Sequence, residues 1–204
     1  IPVWALCSKK TGRTLKAKQV PMLAIGSAFS FVVMMVNIPI PGGSSGHVVG
    51  GVLIAILLGP WAACIAVSVV LVMQALIFGD GGITAIGANC FNMAFVSVFA
   101  GYYLYKAISA GSAVDSGRRV AAAAIAGYFG LNIAAFFTAV EFGIRPLLHK
   151  TADGQALYSP YGLNAALPAM MIMHLAVFGV VEALVTALVV KYLMKQPGGA
   201  FGSP

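Results

Sequence analysis

Few side chains in this sequence can do chemistry: three histidines and five acids among 204 residues. His47 follows Gly42-Gly43-Ser44-Ser45-Gly46, a run whose glycines and serines favour a turn over a regular helix. A neutral imidazole there can give a lone pair to a transition metal or hydrogen-bond to backbone where the next helix starts, a helix that Ser45 could also cap. A second group comprises Gln74 in an apolar run, Asp80 in Gly79-Asp80-Gly81-Gly82, and Asn89 and Asn92 in Gly87-Ala88-Asn89-Cys90-Phe91-Asn92. Unpaired amides are costly in an apolar medium, so these four are expected to form one polar network facing an interior. His174 and Glu182 are eight residues apart, near one face of a common helix. Asn37, Asn132 and Glu141 are isolated polar positions. A nucleophilic reading also stands: Ser44 or Ser45 as attacking group with His174 as base, which would make an intramembrane serine hydrolase.

The medium around these groups is set by composition. Hydrophobic residues make up 60% of the chain and charged ones 8%, against about 25% charged in soluble domains. With a mean hydropathy of +0.96, the apolar surface is too large for one core of this size and has to face lipid. The 12 basic residues against 5 acids give a net charge of +7. The bases cluster at the ends of apolar runs, which reports membrane topology and not a nucleic-acid partner. Cys7, Cys64 and Cys90 form no CxxC and sit in or beside apolar runs, so they read as small hydrophobes.

The elements expected to position the polar groups are therefore membrane helices. Apolar runs punctuated by Pro, Gly and charge predict an all-α integral membrane protein, a bundle of about seven transmembrane helices with the first one truncated. Residues 1–196 form one transmembrane domain and 197–204 a flexible tail. Within it, 1–7 is the end of the first helix, 8–19 a basic cytoplasmic loop holding Lys9, Lys10, Arg13, Lys16 and Lys18, and 41–47 an external loop. Further runs at 20–39, 48–58, 60–78, 83–106, 120–144 and 165–190 complete the count, with the C-terminus inside. Ala24 and Ala28, like Gly46 and Gly50, have the small-xxx-small spacing that permits close helix approach; Ala24 and Ala28 are the candidate contact with another membrane subunit. No GxxxxGK[ST] phosphate loop is present, so that motif supplies no energy source within this sequence.

The stretch from NIPIPGGSSGHVVGGVLIAILLGPWAA through QALIFGDGGITAIGANCFNMAF, Asn37 to Phe95, resembles the CbiM/NikM subunits of cobalt and nickel uptake systems of the energy-coupling factor class. The likeness continues more loosely from Val20 to the last helix, including the EALVT segment at Glu182. It implies a substrate-binding component of the prokaryotic plasma membrane that is not itself an enzyme and needs no cofactor. Such a component captures Co²⁺ or Ni²⁺ at its outer face, supplying cobalamin synthesis or metalloenzymes. The implied partners are a coupling subunit of CbiQ/NikQ type, two ATP-binding subunits of CbiO/NikO type and, in some systems, a small CbiN-type accessory subunit. In that family a Met-His head inserts into the bundle and binds the ion with the histidine of the SSGH loop, here His47. The resemblance casts Gly43, Ser44, Ser45, Gly46, Gln74, Asp80, Asn89 and Asn92 as residues that shape the loop or orient the ligands. The sequence starts at Ile1 without the head, so the other ligands are expected on a segment that the chain lacks.

Overall fold

The computed structural model describes residues 2–41, 44–157 and 160–196. Gly43 and the tail at 197–204 lie outside the described residues. Seven helices run through the described chain: α1 (Pro2–Thr14), α2 (Ala17–Met34), α3 (Gly51–Leu58), α4 (Pro60–Phe78), α5 (Ile83–Ser109), α6 (Gly117–Leu148) and α7 (Leu163–Met194). Five of them, α2 and α4 to α7, are long and apolar enough to cross a bilayer. The all-α membrane class read from composition holds.

The runs expected at 83–106, 120–144 and 165–190 extend further, to Ile83–Ser109, Gly117–Leu148 and Leu163–Met194, the run expected at 48–58 starts at Gly51, and two other stretches differ in kind. The basic stretch at 8–19 is not a loop throughout, because α1 continues through Ser8-Lys9-Lys10 to Thr14. Lys and Arg are good helix formers, and near a helix C-terminus their charge complements the dipole. The run expected to stay helical to Pro39 stops at Met34. Strand β1 (Ile38–Ile40) then pairs antiparallel with β2 (Ser44–Gly46), with Ile38 opposite Gly46 and Ile40 opposite Ser44. Ile38 and Ile40 each precede a proline, which disfavours helical backbone and leaves both extended. The segment expected to be a plain loop at 41–47 thus contains half of a hairpin.

Helix α6 is the central strut, with α5 on one side and α7 on another. Its buried stripe of Ala122, Ala123, Ala126, Gly127 and Gly130 brings backbones close: a Cβ on Gly130 would meet Val52 and Ser97, and one on Gly127 would meet Thr186. Helix α1 lies on α4, where the Trp4 indole Nε1–H donates to Ser68 Oγ at 2.7 Å. Cys7, Cys64 and Cys90 are free and buried, as their reading as small hydrophobes requires. The outer faces stay apolar: Ile25 on α2 is 70% exposed and Leu188 on α7 is 62% exposed, which suits lipid contact. Gly46 and Gly50 are not a helix-packing pair, because Gly46 ends β2 and Gly50 precedes α3 with φ 71°.

Candidate functional site

The hairpin delivers the chain to His47, and residues 47–50 lead from it into α3. Gly50 adopts left-handed backbone (φ 71°, ψ 4°) at the N-terminus of that helix, a conformation that favours glycine. The segment is tied from two sides. Ser30 Oγ on α2 donates to the Val49 carbonyl at 2.7 Å. From α7, Glu182 accepts the Val49 N–H at Oε2 (2.7 Å) and the Gly50 N–H at Oε1 (3.0 Å).

His47 Nδ1 lies 3.2 Å from the carbonyl oxygen of Val48. A carbonyl only accepts, so this contact assigns the ring proton to Nδ1 and leaves Nε2 as the lone-pair donor. Burial pulls the His47 titration below its ordinary range, opposed by that hydrogen bond and by the charge of Asp80. The ring is thereby favoured in the neutral form a metal needs.

His47 lines a cavity of about 430 Å³ together with Ser44, Ser45 and Gly46. Gln74, Asp80, Asn89 and His174 join its wall, and so do Glu141 and Arg145, which the sequence reading left without a site role. Three π-helical turns, Gln74–Phe78, Cys90–Ser97 and His174–Phe178, each place a residue on this wall: Gln74, Met93 and His174. Such turns concentrate at functional sites because they re-aim side chains that a regular helix would turn away.

The single network expected of Gln74, Asp80, Asn89 and Asn92 does not form. Gln74 Nε2 donates to the Phe31 carbonyl at 3.5 Å, and Asp80 Oδ1 accepts from Asn37 Nδ2 at 3.1 Å. Asn89 Nδ2 donates to the Gly81 carbonyl at 3.1 Å, while Asn92 Nδ2 donates to Glu141 Oε2 at 2.8 Å and Thr138 Oγ1 at 3.1 Å. Gln74, Asp80 and Asn89 line the wall, each with a partner of its own. Asn92 is behind the wall, not on it.

The serine hydrolase pairing finds no support either. His174 Nδ1 is engaged with the Met170 carbonyl at 2.8 Å, and no hydrogen bond joins it to Ser44 or Ser45 among the described residues. His174 and Glu182 also part company: the imidazole lines the cavity, whereas the acid turns to the loop amides. Sequence reasoning missed Ser30 and the loop-holding role of Glu182, although an acid inside a long apolar run was the available signal. No group of three or more His, Cys, Asp or Glu is placed to hold a metal among the described residues.

Residues 1–197 match the family model described as CbiM, cobalt uptake substrate-specific transmembrane region. The fused nickel transport protein NikMN of Rhodobacter capsulatus is 48% identical over 96% of this chain, and a probable fused nickel transport protein LarMN of Lactiplantibacillus plantarum is 45% identical over all of it. The chain spans 56% and 61% of the length of these two relatives. A crystal structure of a truncated transition metal transporter superposes with a TM-score of 0.90 at 51% identity, covering 96% of this chain and 89% of that one. By its full-length match and its fold, the chain belongs to the CbiM family of cobalt uptake substrate-specific transmembrane regions.

Proposed function

We propose that this chain is the metal-receiving membrane subunit of a cobalt or nickel uptake system, with His47 as one of the ligands to the ion. The observation that carries this is the His47 imidazole on the wall of a cavity within a bundle of membrane-length helices, on a loop tied to α2 and α7. The remaining donors come from an N-terminal Met-His head reaching the cavity. Nitrogen donors in a planar set suit Ni²⁺ and also hold low-spin Co²⁺. Ser44, Ser45, Asp80 and Asn89 shape the cavity around the ion without ligating it, and Gln74 and Asn92 brace its walls.

The ion enters from the outer face of a prokaryotic plasma membrane. Loop closure traps it, and ATP hydrolysis on two partner subunits, acting through a membrane coupling subunit, turns or tilts this one to release it inside. The names and greater length of the fused relatives support an added accessory component. The exposed Ala24 and Ala28 on α2 are the proposed contact with the coupling subunit. The test is Ni²⁺ and Co²⁺ titration of the full-length protein against His47→Ala. Loss of tight binding in the variant is expected, and equal binding by the two proteins would remove His47 from the site.

A further inference from the structure

Glu182 is 2% exposed and sits in a 32-residue apolar helix. A carboxylate at such depth is costly unless its oxygens are met by donors. The donors here are consecutive backbone amides: Val49 N–H to Oε2 at 2.7 Å, and Gly50 N–H to Oε1 at 3.0 Å with a longer approach to Oε2 at 3.2 Å. These amides lie just ahead of the first turn of α3, where the helix dipole is positive and the N–H groups have no partner of their own. The carboxylate thus satisfies a helix start and meets its own need for donors in one contact, across 132 and 133 residues of chain.

The contact has a direction that matters to the cavity. Val49 is two residues beyond His47, and its carbonyl is held on the other side by Ser30 Oγ at 2.7 Å. The loop is therefore strung between α2 and α7, with the imidazole at its cavity-facing end. Glu182 does not line the cavity, and both its oxygens are occupied, so it is not placed to reach an ion beside His47.

We propose that Glu182 is the positioning residue of this site: it grips Val49 and Gly50 so that His47 is presented to the cavity in one orientation. The proposal rests on the reading of His47 as a metal ligand. Glutamine at this position has one acceptor oxygen and would turn its NH₂ group toward one of the amides. Aspartate is one methylene too short to keep both contacts while the helix stays in place.

The test uses the full-length protein in nanodiscs and compares wild type, Glu182→Gln, Ser30→Ala and His47→Ala. It reads Ni²⁺ affinity by calorimetry, the visible absorption of the Ni²⁺-loaded protein, and hydrogen exchange at Val49 and Gly50. Glu182→Gln is expected to speed exchange at both amides and weaken Ni²⁺ binding by about 10–100-fold, the range for residues that orient a ligand. At saturating Ni²⁺ its absorption spectrum should match wild type. Faster exchange with unchanged affinity would reduce Glu182 to a helix cap, and an altered saturated spectrum would make it a ligand; either overturns the proposal. Should Glu182→Gln fail to fold, Ser30→Ala decides, since the proposal requires weaker Ni²⁺ binding from loosening Val49 and fails if affinity is unchanged. Wild-type Ni²⁺ affinity in His47→Ala would show separately that the ligand reading itself is wrong.

Discussion

Gly46 faces the ring of Phe178, so that strand β2 meets this side chain of helix α7 with bare backbone. A Cβ at residue 46 would overlap the ring. Phe178 has little freedom to yield: it is 3% exposed and its ring centroid lies 5.1 Å from that of His174. Gly46→Ala should destabilise the protein by about 1–3 kcal/mol through overpacking. Adding Phe178→Leu should recover part of that loss. Thermal unfolding of the single and double variants in detergent checks this, and a wild-type midpoint for Gly46→Ala would show that the ring shifts freely.

Gly50 is constrained differently, by backbone. At φ 71° the Cβ of any L residue crowds the adjoining carbonyl oxygen, and here the new atom would also stand 2.9 Å from Phe29 Cε1. Gly50→Ala should cost about 1–2 kcal/mol from the left-handed conformation alone. It should also disturb the Gly50 N–H that Glu182 accepts, so hydrogen exchange at this amide should rise more than the global stability loss requires. Exchange that rises only in step with global stability would separate the backbone strain from the loop contact.

Much of the architecture was legible because lipid imposes a simple rule. Apolar runs near 20 residues had to be spans, and Gly59-Pro60 and Gly79-Asp80-Gly81-Gly82 marked real breaks. His47 was legible as a ligand candidate because a histidine after a glycine-serine turn stands out in so apolar a chain. The hairpin escaped notice, although Ile38-Pro39 and Ile40-Pro41 carried its backbone preference. Partners of polar groups were the least readable. Pairing is decided by which helices face each other: Ser30 and Glu182 converge on one loop from 19 and 133 residues away, while Gln74, Asp80, Asn89 and Asn92, close in sequence, share no partner.

The junction of α1 and α4 offers an optical readout, because the protein has two tryptophans, Trp4 and Trp61. Trp4 Nε1–H donates to Ser68 Oγ at 2.7 Å, and Ser68 is 7% exposed. Ser68→Ala removes the acceptor at the loss of one heavy atom, which should cost about 1–3 kcal/mol for the orphaned indole N–H. With Trp61→Phe as background, the emission maximum of Trp4 should move. An unmoved maximum and unchanged melting midpoint would mean that the indole finds another acceptor.

Behind the cavity wall, Asn92 is fully buried and its amide nitrogen serves both Glu141 Oε2 at 2.8 Å and Thr138 Oγ1 at 3.1 Å. Thr138 in turn donates its hydroxyl to the Ala134 carbonyl at 3.0 Å, so its oxygen is free to accept from Asn92. The order of donors and acceptors is thereby fixed from Asn92 outward to two residues that line the cavity. Asn92→Leu should cost about 1–3 kcal/mol by removing the donor from both. Asn92→Asp should cost more, since an acceptor would face an acceptor. Adding Glu141→Gln to Asn92→Asp restores a donor opposite an acceptor and leaves the charge of the pair unchanged. The double variant should therefore be more stable than Asn92→Asp alone, with a coupling within about 0.5–3 kcal/mol. Strict additivity in the thermal unfolding cycle would show that Glu141 is solvated from the cavity and does not depend on Asn92.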